Sequence, residues 1–549
     1  MSGADQIWHN AKIQTMDAEN PEASAFAASN GRIIAVGSDA DILHLAKPRT
    51  EMSDLHGKQL LPGFVESHTH ALWGACQDLF EVSVGYGSTY ADLMGAVRSR
   101  VMNSKDGRLL TGGPWRRDLR QQMGPNPRKT LDAISTDIPI ALSDVTKHML
   151  WCNSLALEMA GIGDDAGDIA GGVIERDTAT GKPNGILAET ACAPVNKLSV
   201  RTVDQLAEAT LYFVRKFNRL GFTAFKEPMA MEADLAAYKS ADEREELTLH
   251  LAAHLVRQSP LVPELVDYEE MERWRREYSS TNVRTDFAKL FLDGVAPGFT
   301  ASFLEPYLAE SGYQAELHDP DATLLLSPDE IAREITELDR RGFTVKMHCV
   351  GDNAARKGLD GIEAARERNG PSGLRHEIAH SPFIQPDDLP RFTELDAVAE
   401  VSPKLWFPNA ATAAQLSVLG KERVERCHPI RDYLEAGVNV TYASDWPAAS
   451  PDPNPWTGLA GMISRTDPTG TYPGSVGKDQ AISLNQALPL FTINGARSMR
   501  METETGTISS GKWADFIILD EPLGTLSPEE IAAAEVRCTV WKGQTVFER

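Results

Sequence analysis

The sequence predicts an α/β protein: a TIM-like (β/α)8 barrel with a small β-sandwich domain built from both chain ends. Two features of the 549-residue chain predict this fold class. In the middle, an amphipathic helical pattern, a glycine and an apolar strand follow one another, as in residues 204–227 and 329–351. Both ends consist instead of short extended segments joined by turns.

Eight strand candidates in the middle of the chain favour a closed barrel over an open doubly wound sheet. Each is a short apolar run next to a helical pattern or a turn signal. They lie at residues 57–70, 221–228, 247–256, 286–294, 343–351, 374–382, 397–403 and 438–447. We therefore assign residues 61–499 to the barrel domain, with a Gly- and Pro-rich insertion at about 85–200 that we expect to form a lid or substrate wall.

The two chain ends have the pattern of strands and tight turns. The dipeptide Asn30-Gly31 stands between apolar flanks, which is a strong signal for a two-residue hairpin. Residues 506–520 and 536–549 again show strand, glycine turn and strand. We expect residues 1–60 and 500–549 to form one β-sandwich domain.

The composition excludes several classes of partner. With 78 acidic and 54 basic side chains the formal charge is −24, which disfavours a nucleic acid or an anionic membrane surface. The N-terminus has no basic segment followed by an apolar core, and no run is long enough to cross a membrane. Six cysteines without CxxC spacing indicate reduced thiols. We expect a cytoplasmic protein with a small-molecule substrate. Whether the protein forms a homodimer is left undecided by the sequence.

The stretch LPGFVESHTH places two histidines one residue apart at the end of a strand candidate. In an extended segment residues i and i+2 point to the same face, so His68 and His70 project together. Two imidazoles on one face provide the first two ligands of a divalent cation. A pair of hydrogen-bonded histidines without metal explains the pattern equally well.

Polar residues inside the other strand candidates extend this pattern. Lys289 lies between Phe287 and Phe291, where an unpaired ammonium is costly to bury; an ion pair with a nearby carboxylate is the alternative. Near strand ends stand His348, His376, His380 and Asp445. In a parallel barrel all strand C-termini open on one face, where the active sites of this fold lie. His68, His70, Lys289, His348, His380 and Asp445 should converge there and form a metal site.

The motifs around these residues resemble the amidohydrolase superfamily. Within it they resemble the YtcJ-like branch, also called amidohydrolase family 3, which includes N-substituted formamide deformylases. The matching segments, in order along the chain, are LPGFVESHTH, SDVTKHMLWCNSLAL, FAKLFLDG, KMHCVGDNAAR, EIAHSPFIQPDDLPRF, ASDWP and GTISSGKWADFIILD. After Asp293-Gly294 the chain departs from the common Asp-Gly-Ser-Leu-Gly continuation, which leaves the substrate open. His376 matches no ligand position.

The resemblance implies hydrolysis of a carbon–nitrogen bond other than a peptide bond. It implies that His68, His70 and Asp445 hold one metal, His348 and His380 hold a second, and a carboxylated Lys289 bridges them. Zinc is the default, and manganese, iron or cobalt suit the same ligands. A metal-bound hydroxide would attack the amide, formamide or cyclic amide, and Asp445 would transfer its proton to the leaving amine.

Two other functions are weighed against this one. A mononuclear deaminase of the same superfamily typically has a glutamate three residues after the strand-five histidine, where this chain has Gly351. A non-catalytic scaffold would have lost ligands, whereas all six positions are filled. For the substrate, the resemblance suggests His148, and Trp115 could line an apolar pocket; the tryptophans of the insertion could equally be core residues.

Overall fold

The computed structural model describes residues 3–549 apart from 85–87, 105–106, 145–148, 168, 170, 260–264 and 403. The chain forms two compact units. One comprises Met1–Ala71 and Thr210–Arg549, and the other comprises Leu72–Ala209.

The strands of the described residues are short, and the longest have nine residues. In chain order they are β1 (Gln6–His9), β2 (Lys12–Gln14), β3 (Glu22–Ala23), β4 (Ala25–Ser29), β5 (Arg32–Gly37), β6 (Glu51–Asp54), β7 (Gln59–Pro62), β8 (Phe64–Glu66), β9 (Glu81–Ser83), β10 (Thr111–Gly113), β11 (Ala141–Ser143), β12 (Met149–Cys152), β13 (Gly172–Arg176), β14 (Pro183–Glu189), β15 (Phe222–Ala230), β16 (His250–Val256), β17 (Val283–Phe291), β18 (Thr344–Cys349), β19 (Glu377–His380), β20 (Val398–Val401), β21 (Asn439–Tyr442), β22 (Phe516–Leu519), β23 (Cys538–Trp541) and β24 (Gln544–Glu548).

The α-helices of the described residues range from single turns to eighteen residues. They are α1 (Asp39–Ile42), α2 (Ala71–Phe80), α3 (Tyr90–Asn103), α4 (Pro127–Asp132), α5 (Ser154–Met159), α6 (Ala193–Asn196), α7 (Val203–Leu220), α8 (Glu232–Glu243), α9 (Tyr268–Tyr278), α10 (Pro328–Arg340), α11 (Asp352–Asn369), α12 (Leu389–Glu394), α13 (Ala410–Leu419), α14 (Lys421–Glu425), α15 (Ile430–Glu435), α16 (Pro455–Ser464), α17 (Leu484–Ala487), α18 (Ile493–Ser498) and α19 (Pro528–Ala532).

Eight parallel strands form the barrel sheet, in the order β21-β20-β19-β18-β17-β16-β15-β8. The first and last strands approach each other at their carboxyl ends, where Ser67 N–H donates to Tyr442 O at 3.1 Å. Seven strands follow one another in sequence around the sheet, as short right-handed βα connections require. The α/β barrel prediction and all eight predicted strands are confirmed.

One βα unit shows how the local sequence builds this sheet. Ser327 caps α10 and Glu330 completes a capping box, so the helix starts with its exposed N–H groups paired. Ile331, Ile335 and other residues at helical spacing are buried along its inner face. Gly342, with φ of 80°, then turns the chain into β18. The strand therefore enters the sheet with His348 at its carboxyl end.

Strands from the two ends of the chain share a sheet. The N-terminal β7 pairs with the C-terminal β22 in a six-stranded sheet, and β1, β4, β5 and β6 form a four-stranded one. Trp8, Phe26 and Phe516 pack with ring centroids 4.8–5.3 Å apart in the core that both ends contribute. The hairpin at Asn30-Gly31 joins β4 and β5. The domain boundaries at residues 60 and 500 stay a prediction.

The unit Leu72–Ala209 has its own core. Its four-stranded antiparallel sheet has the order β11-β12-β14-β13. Apolar residues of α3 and of the sheet pack around Trp115 and Trp151, both fully buried. Across all described residues, none of the helices combines the length and apolar character needed to cross a bilayer.

A buried histidine between β20 and β21 makes stability depend on pH. Both ring nitrogens of His428 lack hydrogen-bond partners among the described residues, and its ring lies edge-on to Trp406 at 5.4 Å. Burial, with a smaller contribution from the Arg465 guanidinium, holds the pKa of His428 well below its usual range. The folded protein keeps this imidazole neutral, whereas the unfolded chain binds a proton below about pH 6.5. Stability is therefore lost as the pH falls below that value.

We expect this loss to be about 1.4 kcal/mol per pH unit for His428 alone. Between pH 7.5 and 5.5, the urea unfolding midpoint of tryptophan fluorescence should drop less in His428→Asn than in the wild type. Asparagine tolerates the left-handed backbone at this position, where φ is 50°. His56→Asn is the control, since His56 has the same φ but an exposed side chain. An unchanged pH dependence in His428→Asn would contradict the assignment.

Candidate metal centre

Each of the six predicted ligands lies at or near the carboxyl end of a barrel strand. His68 and His70 follow β8, and Asp445 follows β21. Lys289 lies in β17, His348 is the last residue but one of β18, and His380 ends β19. Barrel closure brings the first and last of these strands together, so residues far apart in sequence meet at one face.

His68, His70 and Asp445 form a tight buried cluster. The Nε2 atoms of His68 and His70 lie 3.6 and 3.5 Å from the same carboxylate oxygen, Asp445 Oδ1. That oxygen is buried and accepts no hydrogen bond from the described residues. One potential ligand atom from each side chain lies within 4.8 Å of the others. Two imidazole nitrogens and an unpaired carboxylate oxygen facing a common point fit a divalent cation.

Backbone hydrogen bonds fix this cluster. Asp445 N–H donates to His68 O at 2.9 Å, and His70 N–H donates to Trp446 O at 2.8 Å. Asp445 has φ of 54° and His380 has φ of 69°, a left-handed conformation that is unfavourable for residues with a side chain. Strain of this kind persists where surrounding contacts hold it, and it concentrates at functional sites.

His70 also contacts a second carboxylate. Its Nδ1 lies 3.5 Å from Glu227 Oε1, and Glu227 accepts a hydrogen bond from Tyr238 OH at 2.8 Å. Burial disfavours the charged imidazole, but the neighbouring carboxylates of Asp445 and Glu227 outweigh it and raise the pKa of His70 to about 9. The surroundings of His70 thus favour positive charge, whether a proton or a metal supplies it.

His348 and His380 form the other half of the site. Their ring centroids lie 4.4 Å apart, and the His380 ring lies 4.7 Å from that of His68. Burial lowers the pKa of His348 to about 3, with Lys289 adding to the effect, and burial next to His348 holds the pKa of His380 well below its usual range. Neutral imidazoles keep a lone pair for a metal.

Lys289 is fully buried and its Nζ has no hydrogen-bond partner among the described residues. Its ammonium position lies 4.7 Å from the centroid of the Phe291 ring. Burial, and then the nearby charge of Lys346, lower the pKa of Lys289 to about 8. Asp293, four residues further along the chain, is already engaged: its oxygens accept backbone N–H groups, including those of Val350 and Gly351 at 2.9 and 2.8 Å.

The sequence patterns did not lead us to predict several ionisable residues that are buried in the barrel strands. Buried in the described barrel strands are also Glu66, Lys226, Glu227, His254, Lys346, Glu377 and Glu400. Each breaks an apolar strand, the same signal that identified Lys289. Glu400 Oε1 lies 2.7 Å from His68 Nδ1, so at least one of them contacts a predicted ligand directly.

Glu66 supports the segment that carries the two histidines. Its Oε1 accepts the N–H of Ser444 at 2.9 Å and of His68 at 3.2 Å. Burial raises the pKa of Glu66 to about 8. The side chain thus links the residue before Asp445 to the residue that begins the His-x-His pair.

The remaining predicted residues lie as follows. His376 is buried immediately before β19, and its Nε2 hydrogen-bonds Asp339 Oδ1 at 2.9 Å. The indole of Trp115 donates to Leu142 O at 2.9 Å inside the core of the unit Leu72–Ala209, a packing that favours the core interpretation. His148 lies outside the described residues. The substrate contacts of Trp115 and His148 stay predictions.

Comparison with known proteins identifies the family. A family model described as "Amidohydrolase family" matches residues 51–547. The chain belongs to the amidohydrolase family. This confirms the predicted superfamily and the enzyme class, a metal-dependent hydrolase acting on carbon–nitrogen bonds.

Two curated relatives of this amidohydrolase match over nearly their full length. A putative amidohydrolase, YtcJ, of Bacillus subtilis is 26% identical over 99% of both chains. The N-substituted formamide deformylase of Arthrobacter pascens is 27% identical over 98% of both chains. Among solved structures, an uncharacterized metal-dependent hydrolase of Pyrococcus furiosus matches with a TM-score of 0.73 and 22% identity, covering 95% of this chain and 99% of that one. That likeness supports the fold.

Proposed function

We propose that this amidohydrolase cleaves a C–N bond in a small-molecule amide, with an N-substituted formamide, another N-substituted amide or a cyclic amide as substrate. The observation that carries the proposal is the unpaired, buried Asp445 Oδ1 facing the Nε2 atoms of His68 and His70. A carboxylate oxygen left without a partner in this place costs stability unless a cation binds to it.

The donor set suits two divalent metals. His68, His70 and Asp445 would hold one, and His348 and His380 the other. Imidazole and carboxylate ligands suit zinc, which is our first choice, and also manganese, iron and cobalt. When bound, such metals polarise the substrate carbonyl and lower the pKa of water enough to supply a nucleophile near neutral pH.

Lys289 would bridge the two metals as a carbamate. Its lowered pKa provides a neutral amine near pH 8, and only the neutral form can add carbon dioxide. The Nζ–carbon bond forms, one N–H proton leaves, and the product is an anion. Its negative charge would offset the two cations, and a lysine with no carboxylate partner among the described residues would be accounted for.

Asp445 would move the proton. Its second oxygen is free of the two histidine contacts described above, which involve Oδ1 alone. The carboxylate could therefore take a proton from the attacking water and pass it to the leaving nitrogen as the tetrahedral intermediate collapses. Its backbone N–H donates to His68 O, which holds the residue at the site.

A formamide is the substrate class to test first, because the relative from Arthrobacter pascens is an N-substituted formamide deformylase. A panel of N-formyl, N-acyl and cyclic amides, assayed by amine release with metal-reconstituted protein, would identify the class.

We also propose a cytoplasmic location, since all six cysteines are buried free thiols, which is typical of a reducing compartment.

Metal removal is the first prediction. Protein treated with a chelator should lose amide hydrolysis and regain it with zinc or manganese, because the nucleophile depends on the metal. The reconstituted protein should contain about two equivalents of metal by elemental analysis. One equivalent would favour the mononuclear deaminase and none the scaffold; full activity in metal-free protein would falsify the proposal.

Asp445→Asn should reduce turnover by roughly 10²–10⁴-fold, the usual cost of a lost acid–base group. Asparagine tolerates the left-handed backbone at this position, so the fold should be retained. Turnover is measured with metal content determined on the same sample, to separate proton transfer from metal loss. Asp452→Asn is the control, since Asp452 is exposed and lies outside the metal cluster. A near-normal turnover in Asp445→Asn would remove this residue from the mechanism.

Lys289→Ala should bind less metal and be inactive, because the bridge is lost. Short carboxylic acids added to this variant should fill the vacated space and restore part of the activity. Lys404→Ala is the control: Lys404 is also buried, but its ammonium donates to Asn454 O at 2.6 Å, and acids should not affect this variant. Electron density for an unmodified ammonium at Lys289, in protein prepared with metal and bicarbonate, would contradict the carbamate.

A further inference from the structure

We propose that Glu400 is a positioning residue that sets the tautomers of two metal-binding histidines at once, His68 directly and His380 through Ser402. The inference rests on the proposed function insofar as these histidines bind metal. The arrangement of protons it describes holds with or without metal.

Glu400 is fully buried in β20. Its Oε1 lies 2.7 Å from His68 Nδ1 and 3.0 Å from Ser402 Oγ. Its Oε2 is paired with the ammonium of Lys346. A carboxylate has only lone pairs to offer, so each of the three neighbours must donate.

For His68 this fixes the ring. Nδ1 must carry the proton that Glu400 accepts, which leaves Nε2 with a lone pair. Nε2 is the nitrogen that faces Asp445 Oδ1 at 3.6 Å. A lone pair facing a carboxylate oxygen is unfavourable unless a cation lies between them. Glu400 thus holds His68 in the one neutral tautomer that can bind metal at this cluster.

Ser402 extends this constraint on the proton position to His380. A hydroxyl has one proton, and Ser402 gives it to Glu400. Toward His380 Nδ1, at 2.9 Å, Ser402 Oγ can then only accept. His380 Nδ1 therefore carries a proton, and its Nε2 is the lone pair available to a metal. One carboxylate reaches a ligand of each proposed metal.

His348 is oriented differently. Its Nε2 lies 3.1 Å from Gly294 O, a backbone carbonyl that can only accept. The proton is thus on Nε2, and Nδ1 has the lone pair. The backbone carbonyl sets the tautomer of His348, so this ring needs no carboxylate partner. Glu400 therefore has to set only the tautomers of His68 and His380.

Glu400 is in turn held by a chain of buried charges. Lys346 donates to Ser67 O at 2.7 Å and also lies 3.1 Å from Glu377 Oε2. Glu377 is paired with Lys226 on its other oxygen. All four charged side chains are fully buried. Lys346 occupies one oxygen of Glu400, so the carboxylate cannot turn away from His68 without leaving that ammonium unpaired.

Direct metal binding by Glu400 is the competing role, because one oxygen lies close to potential ligand atoms of His68 and His380. The contacts oppose it. Oε1 already accepts from His68 and Ser402, and Oε2 is occupied by Lys346. A metal at this place would have to displace these donors.

The test is Glu400→Gln, which keeps the shape but not the charge. Lys346 requires the amide oxygen, so the amide NH2 would face His68 Nδ1 and Ser402. The measurement is a long-range ¹H–¹⁵N spectrum of metal-free protein labelled with ¹⁵N-histidine. The His68 signals are assigned by their absence in His68→Asn. We expect the His68 proton on Nδ1 in the wild type and on Nε2 in Glu400→Gln. The metal dissociation constant, measured by competition with a chromophoric chelator, should rise roughly 10–100-fold.

Two further variants complete the experiment. Ser402→Ala removes the link between Glu400 and His380, leaves the contact between Glu400 and His68 in place, and should weaken one of the two metal equivalents. Asp339→Asn is the matched control, because Asp339 accepts from a buried histidine, His376, that is not a ligand. It should leave metal affinity within about twofold of the wild type.

The outcomes separate the two proposals. Metal affinity unchanged in both Glu400→Gln and Ser402→Ala, or a wild-type His68 with its proton on Nε2, overturns the positioning role. Metal loss in Glu400→Gln with the His68 tautomer unchanged overturns it in favour of direct binding. A wild type that binds no metal contradicts the proposed function, while its spectra still decide the tautomers. If Glu400→Gln does not fold, Ser402→Ala gives the answer through His380.

Discussion

The interior of this barrel depends on the mutual neutralisation of charges that water cannot reach. Lys226 on β15, Lys346 on β18, Glu377 on β19 and Glu400 on β20 are all fully buried. They alternate in sign as Lys226–Glu377–Lys346–Glu400, and the chain ends on His68 next to β8. Removing one partner of such a pair costs several kcal/mol, because the other is left buried and uncompensated.

This chain of charges crosses the barrel interior between strands that are distant in sequence. It therefore couples the side-chain rotamers of residues on strands that do not pair with each other through backbone hydrogen bonds. Buried ion pairs are weak evidence for stability, but they restrict geometry, since an alternative rotamer leaves an ammonium or carboxylate unpaired. Through Glu400 the same restriction applies to His68 and, by way of Ser402, to His380. The unusual backbone at His380 and Asp445 is tolerated for a related reason: contacts on several sides hold it.

The sequence was sufficient for the parts of this structure that follow from local pattern. The eight barrel strands were predicted because each is a short apolar run beside a helical pattern or a turn signal. Lys289 and Asp445 were predicted because a polar residue in such a run is costly without a role, and His68 because of the His-x-His spacing. Glu377 and Glu400 break strands in the same way. Their partners could not be predicted, because a contact such as that between His68 and Glu400 depends on strand order and register around the barrel. Trp115 shows the reverse case, since an aromatic residue has the same pattern in a pocket and in a core.

The three lysines buried in the described barrel strands differ in one respect that bears on the chemistry. Lys226 and Lys346 are each paired with a carboxylate, although burial still lowers the pKa of Lys226 to about 8. Lys289 pairs with Lys346 in strand register, on the neighbouring strand, but the carboxylates Glu377 and Glu400 are already engaged. Burial, and then the charge of Lys346 beside it, therefore lower the pKa of Lys289. Lys289 thus combines a lowered pKa with an amine that has no hydrogen-bond partner among the described residues, and its neutral form is the state from which a carbamate could be made.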